Sequence, residues 1–299
     1  MAELRSTFAR VQLRQIRRAI ALTPLLHQSA DGLICVLFPT DCPLCGREVL
    51  WSGWMGICAD CRDAIKPWEG AACEICGLPL TLPAGEDAGG GLRCGECRRN
   101  AHHFDLARSY GVYSFPLRDL ILHLKFRRRE RWGRHLGALL APAAQKLAMA
   151  AGGTPSLIVP VPLHLSRQRE RGYNQAELLA AGLTRKLRES PGWRGVRMEP
   201  RLLQRKQPTA PQSGLSHDAR QENVRGVFAA SREGLAEGQS VLLVDDVMTT
   251  GATVSACALT LKRAGASEVA VLTLARATPQ FPDIHAFPPA VDDSPRSRP

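Results

Sequence analysis

The chain of 299 residues carries 39 Lys and Arg against 28 Asp and Glu, a formal net charge of +11. That length is enough for one large domain or two with a sizeable core. The basic balance suits a protein that meets phosphates but does not by itself specify nucleic acid. No apolar run approaches the ~20 residues of a membrane span, and no signal-peptide pattern opens the chain, so no transmembrane segment and a cytoplasmic location are expected.

Residues 1–34 place Arg5, Arg10, Arg14, Arg17 and Arg18 beside Leu4, Phe8 and Val11 at helical spacing, with Ile16 close to the same face. A basic amphipathic helix is expected there. It suits a membrane surface, a polyanion, packing on its own domain or an organelle transit peptide, and the pattern does not choose among these.

Residues 35–105 hold the cysteines. Cys42 and Cys45 pair with Cys58 and Cys61, and Cys73 and Cys76 pair with Cys94 and Cys97, each pair in C-x-x-C spacing. Two such pairs supply the four thiolates of one tetrahedral ion, and Gly46 and Gly77 permit the turn that aims backbone N–H groups at sulfur. The offset of 31 residues from Cys42 to Cys73 makes this an internal repeat. A double zinc ribbon with two structural Zn²⁺ is therefore expected, its ligands grouped either sequentially or interleaved between the halves. Disulfides would need an oxidising compartment, for which no export signal is seen. Each tetrathiolate zinc carries a net charge of −2, which leaves the chain basic. Pro83 to Gly91 reads as a flexible loop, and Cys35 and Cys257 read as ordinary core residues.

Residues 106–276 form the larger part. Leu106–Ser114 alternates enough for a strand, and Pro116 opens a helix whose Leu117, Leu120, Ile121 and Leu124 share one face. It leads into Lys125, Phe126, Arg127, Arg128 and Arg129, which read either as a solvated helix end favoured by the dipole or as a phosphate contact. A second helix is expected from Trp132 to Ala150, kinked at Pro142. Leu157–Val159 is a buried strand ending in Pro160 and Pro162, a rigid loop at the carboxyl end where open α/β sheets bind ligands. There Arg167, Arg169, Arg171, Asn174 and Gln175 open a helix Ala176–Arg188. They suit a diphosphate or, more simply, a water-facing loop. Residues 201–228, with Arg205 and Lys206, read as a basic lid over a charged ligand. From residue 277 onward six prolines in 23 residues indicate a disordered tail,.

The chemistry concentrates at 241–253. The apolar run Val241–Val244 reads as a buried parallel strand that meets two carboxylates, Asp245 and Asp246. Thr249, Thr250, Gly251, Ala252 and Thr253 then turn into a helix from about Val254, closed by Gly265 before a second strand-like run, Glu268–Ala275. Such a turn offers free N–H groups, hydroxyls and the positive end of a helix dipole to a phosphate. The carboxylates can accept hydrogen bonds from the vicinal hydroxyls of a sugar. A diol shelf beside an anion cradle describes a ribose 5-phosphate.

This loop resembles the phosphoribosyl-diphosphate (PRPP) loop of type I phosphoribosyltransferases. In that family the acidic pair holds the ribose hydroxyls and the T-T-G-x-T turn the 5-phosphate. Together with LFPTDCPLC, LHLKF, VPVPLHLSRQRERGYNQA and the segment LQRKQPTAPQSGLSHDARQENVRGVF, it makes residues 33–276 resemble the ComF-type competence proteins. The resemblance implies a phosphoribosyltransferase-like α/β fold, a parallel sheet flanked by helices and preceded by the zinc ribbon. It also implies PRPP with Mg²⁺ at the strand ends, and a link to natural transformation, single-stranded DNA and DNA-uptake proteins. An enzyme acting on PRPP, a non-catalytic binding module and a zinc-ribbon interaction protein all fit this resemblance. A glutamine-dependent amidotransferase is not expected: members of that class use an N-terminal cysteine nucleophile, and this sequence begins Met-Ala-Glu.

Overall fold

A computed structural model describes residues 40–49, 54–81, 91–127, 129–206, 226–231 and 234–278. The expected N-terminal helix, Cys35, most of the 83–91 loop, Arg128, most of the lid segment and nearly all of the Pro-rich tail lie outside them. The chain divides into two compact units, residues 1–64 with 287–299, and residues 65–286.

In the first unit, strands β1 (Thr40–Asp41) and β2 (Glu48–Val49) form an antiparallel hairpin. Its knuckle is closed by Cys42 N–H to Arg47 O at 2.7 Å and Gly46 N–H to Cys42 O at 2.8 Å. Gly46 has φ +72°, the left-handed turn that glycine adopts without strain,. Helix α1 (Ala59–Asp63) follows, with the Cys58 sulfur accepting from Cys61 N–H as its N-cap.

The second unit repeats this device before the main sheet. Cys73 N–H reaches Leu78 O at 2.8 Å, Gly77 N–H reaches Cys73 O at 2.9 Å, and Cys94 caps α2 (Gly95–Arg99). The chain continues through β3 (Leu106–Val112), α3 (Leu117–Phe126), α4 (Glu130–Leu139), α5 (Ala141–Ala150) and β4 (Leu157–Pro160). Next come α6 (Leu165–Arg171), α7 (Gln175–Leu187), β5 (Arg197–Met198), β6 (Leu203–Arg205) and β7 (Phe228–Ala230). The unit ends with β8 (Ser240–Met248), α8 (Ala252–Arg263) and β9 (Glu268–Arg276).

Five strands make one parallel sheet in the order β3-β9-β8-β4-β5. β6 and β7 form a separate antiparallel pair. The centre of the sheet is dry: Val241–Val244 and Val271–Leu272 are fully buried, as continuous apolar strands covered on both faces require. Helix α5 packs on β3 and β9, α7 on β4 and β8, and α8 on β8 and β9.

Helix α3 buries Leu117, Leu120, Ile121 and Leu124, the expected face. Helices α4 and α7 approach so closely that a Cβ on Gly137 would lie 2.1 Å from Leu179 O, and one on Gly182 2.1 Å from Arg134 O. Only glycine fits at that crossing.

Four expectations are corrected. The single kinked helix over 132–150 is two helices that meet at Leu140, because Pro142, in the first turn of α5, has no N–H to give to Ala138 O,. The arginine loop before α7 is itself helical. It forms α6, capped by His164 at its start and ended by Gly172 at φ +87°. The first long strand stops at Val112, two residues early. Asp245 and Asp246 lie inside β8, which stays paired with β9 as far as Met248 opposite Arg276.

Candidate functional site

Two cysteine clusters stand out. Cys42, Cys45, Cys58 and Cys61 form one, and Cys73, Cys76, Cys94 and Cys97 the other, with the sulfurs of each within 4.8 Å of one another. The ligand grouping is therefore sequential. Cys45 and Cys58 sulfurs are 3.6 Å apart, as are those of Cys76 and Cys94. The edge of a zinc–thiolate tetrahedron is about 3.8 Å for Zn–S bonds of ~2.3 Å.

Backbone N–H groups point at the sulfurs, Cys58 N to Cys42 Sγ at 3.4 Å and Cys97 N to Cys94 Sγ at 3.4 Å. Burial would raise Cys42 and Cys73, but backbone N–H groups, including those of Cys58 and Cys94 respectively, bring each thiol down to about 7. Burial and neighbouring sulfurs push Cys61 and Cys97 far upward. Four thiols so placed ionise together only around a cation, and the donor set fits Zn²⁺. All four ligands are protein sulfurs, so each metal would hold the fold rather than carry chemistry.

The second feature is a cleft at the carboxyl ends of β4 and β8, where open α/β sheets hold ligands. A cavity of about 360 Å³ is lined there by Asp245, Asp246, Thr249 and Thr253 on one side and by Arg167, Arg171, Asn174, Gln175 and Arg205 on the other. Thr250, Gly251 and Ala252 complete the turn without lining the cavity, and Lys206 is exposed outside it. Gly251 has φ +84°, a conformation that favours glycine, and a Cβ there would press on the flexible end of Met248, 2.7 Å away,. Ala252 N–H already reaches Thr250 Oγ1 at 3.3 Å.

Asn174 caps α7 through Ala176 N–H at 3.1 Å and ties the helix to Val161 O at 3.0 Å. Arg171 donates to Gln175 Oε1 at 3.0 Å and lies over the Phe126 ring.

Lys125, which the sequence leaves between a solvated helix end and a phosphate contact, lines the cavity and pairs with Asp246 Oδ1 at 2.7 Å. Burial would lower its pKa, but Asp246 and Asp245 more than offset this and hold it upward. Burial, reinforced by Asp246, raises Asp245 to about 7 although Asp246 N–H, Lys125 and Arg205 all pull it down. Across the cleft, burial and then repulsion from Arg167 lower Arg205. The pocket thus has an acidic floor with one resident cation and an arginine wall in mutual repulsion. A sequence signal for Lys125 existed: it falls four residues after Ile121, at the edge of the buried face of α3.

Cys257 is fully buried on α8, an ordinary core residue. Among the described residues no helix is long and apolar enough to cross a membrane.

The sequence matches the double zinc ribbon domain family over residues 33–101 and the phosphoribosyl transferase domain family over residues 174–286. It is 34% identical over 242 residues to the DNA utilization protein YhgH of Salmonella typhimurium, covering 80% of this chain and 97% of that one. It is 33% identical over 224 residues to Competence protein F of Haemophilus influenzae, covering 74% and 91%. Competence protein ComFC of Bacillus subtilis is 25% identical over 257 residues, covering 82% and 95%.

Proposed function

The chain belongs to the family of DNA utilization protein YhgH and Competence protein F, and on that premise we propose that it binds PRPP with Mg²⁺ in the strand-end cleft and acts in the uptake or use of DNA. The observation that carries the first half is the convergence of the Asp245–Asp246 shelf, the threonine turn and three arginines on one cavity. The carboxylates accept from the ribose 2′- and 3′-hydroxyls, and the turn takes the 5-phosphate at the start of α8. Arg167, Arg171 and Arg205 take the diphosphate, whose charge relieves the repulsion between Arg167 and Arg205.

Calorimetry with PRPP and Mg²⁺ tests this. Asp246→Asn and Thr249→Ala should each weaken binding about 10- to 150-fold, the loss of one charge-assisted contact. A wild-type chain that binds no PRPP refutes the reading.

The DNA half rests on the relatives' names and on two basic segments, seven Lys and Arg against two acids in 117–135 and six against two in 164–188. Arg131, Arg134 and His135 of the first and Arg185 of the second line one groove of about 410 Å³ between α4 and α7, a site for a single-strand backbone. Anisotropy with a labelled oligonucleotide should show a log–log salt slope of about −0.7 per phosphate contacted. The slope should flatten when Arg131, Arg134 and Arg185 are all changed to alanine. Binding indifferent to both salt and those changes excludes it.

One observation favours transfer as well as binding. A second cavity of about 490 Å³ shares Pro162, Leu163, Asn174 and Arg205 with the first and has room for an acceptor. Its nucleophile would bond to ribose C1 as the C1–O bond breaks and diphosphate leaves with the electron pair. Acceptor-dependent release of diphosphate is the assay.

A further inference from the structure

Arg276, the last residue of β9, is only 5% exposed. One terminal nitrogen, Nη1, donates to the carbonyl of Thr249 in the turn, and the other, Nη2, reaches Cys76 Sγ at 3.8 Å. A buried guanidinium needs a countercharge. A carbonyl supplies none, whereas a tetrathiolate zinc with net charge −2 supplies it directly.

The same ribbon meets the sheet elsewhere. Ala107 N–H donates to Ile75 O at 2.7 Å and Arg108 Nη1 to Glu74 O at 2.9 Å. A Cβ on Gly77 would lie 2.7 Å from Ala107 O. The segment leaving Cys97 runs beneath the turn. His102 stacks on Phe104 at 4.6 Å, both rings lie 3.7 Å from the Cβ position of Gly251, and His103 N–H bonds Ser255 Oγ at 3.1 Å. Cys73, Cys76, Cys94 and Cys97 share one buried cluster with Phe104, Ala252 and Val254 at the start of α8.

We infer that Arg276 is a positioning residue that braces the threonine turn on the zinc thiolates of the second ribbon, so that metal in that ribbon sets the turn's affinity for a phosphate. The inference rests on the reading of the turn as a phosphate site. With the metal gone nothing fixes Cys76 Sγ in place, so the guanidinium loses its seat and the Thr249 carbonyl loses its anchor. By linkage, a phosphate ligand at the turn must also tighten zinc at the second ribbon by the factor that zinc tightens the ligand.

The experiment uses the full chain with PRPP and Mg²⁺, zinc analysis and hydrogen exchange. Cys94→Ser should hold one zinc, bind PRPP about 10-fold or more weakly and exchange the 249–253 amides faster. Cys58→Ser should also hold one zinc yet match wild type in both readouts. Arg276→Met should keep two zincs and show the weaker binding and faster exchange, with Arg276→Lys intermediate. That result comes from a chain with both ribbons loaded, so it stands even where Cys94→Ser fails to fold.

Wild-type affinity and exchange in Arg276→Met, or equal losses in Cys58→Ser and Cys94→Ser, overturn the inference. If wild type binds no PRPP, the ligand reading fails by itself. The bracing is then decided by exchange at the turn: faster in Arg276→Met supports it, and unchanged overturns it.

Discussion

Replacing Asp245 by asparagine should stabilise the protein at alkaline pH while weakening its ligand site. Burial and the adjacent Asp246 move the Asp245 carboxyl from 3.8 to about 7. At 1.36 kcal/mol per pH unit this is about 4 kcal/mol held against the ionised form. Between those two values the native chain keeps a proton that the unfolded chain has released. Stability from this group is therefore fully present below about pH 4 and is lost as pH rises through 7. Over pH 5.5 to 8.5, a range that limits acid release of zinc, the loss amounts to about 2 kcal/mol.

Asparagine does not ionise, and its Oδ1 can still accept the Asp246 N–H that bonds Asp245 at 2.8 Å. Urea unfolding of both proteins across that range should show the Asp245→Asn variant gaining on wild type by about 2 kcal/mol from the acid to the alkaline end. Calorimetry should show weaker PRPP binding, the usual exchange of stability for function at a charged site. Parallel stability profiles, or a variant that loses ground as pH rises, would refute the reasoning.

Elemental analysis should return two zinc per chain, and Cys42→Ser or Cys73→Ser should each remove about one and unfold its ribbon, since structural zinc contributes folding energy directly. Gly182→Ala drives a Cβ to 2.1 Å from Arg134 O; the α4–α7 crossing must spread at a cost of about 1–3 kcal/mol or more, read as a lower denaturation midpoint, and an unchanged midpoint would place the helices further apart than they stand.

How much was legible in the chain follows from the range of the interactions involved. The apolar faces of β8, β9 and α3 were legible because burial repeats at the period of the element itself. The tetrads were legible because C-x-x-C brings two ligands together within a single turn. Helix α6 was hidden because it buries no residue, so its run of arginines carries no apolar periodicity to mark it. The break at Leu140 was displaced because Pro142 acts on a hydrogen bond four residues back,.

Lys125 and Arg276 mark the further limit. Each is a cation whose partner lies far off in sequence, Asp246 for one and both Cys76 and Thr249 for the other. Its spacing from Ile121 sets Lys125 apart from Arg127, two residues on and exposed, but does not name its partner. The partner follows only from the fold: α3 delivers Lys125 to the carboxyl end of β8, where two adjacent carboxylates cannot both stay ionised cheaply without a cation. A ligand bringing Mg²⁺ and hydroxyls to that shelf competes with Lys125 for Asp246. The affinity of the cleft therefore includes the cost of parting that pair, a term set by the fold rather than by the turn's own sequence.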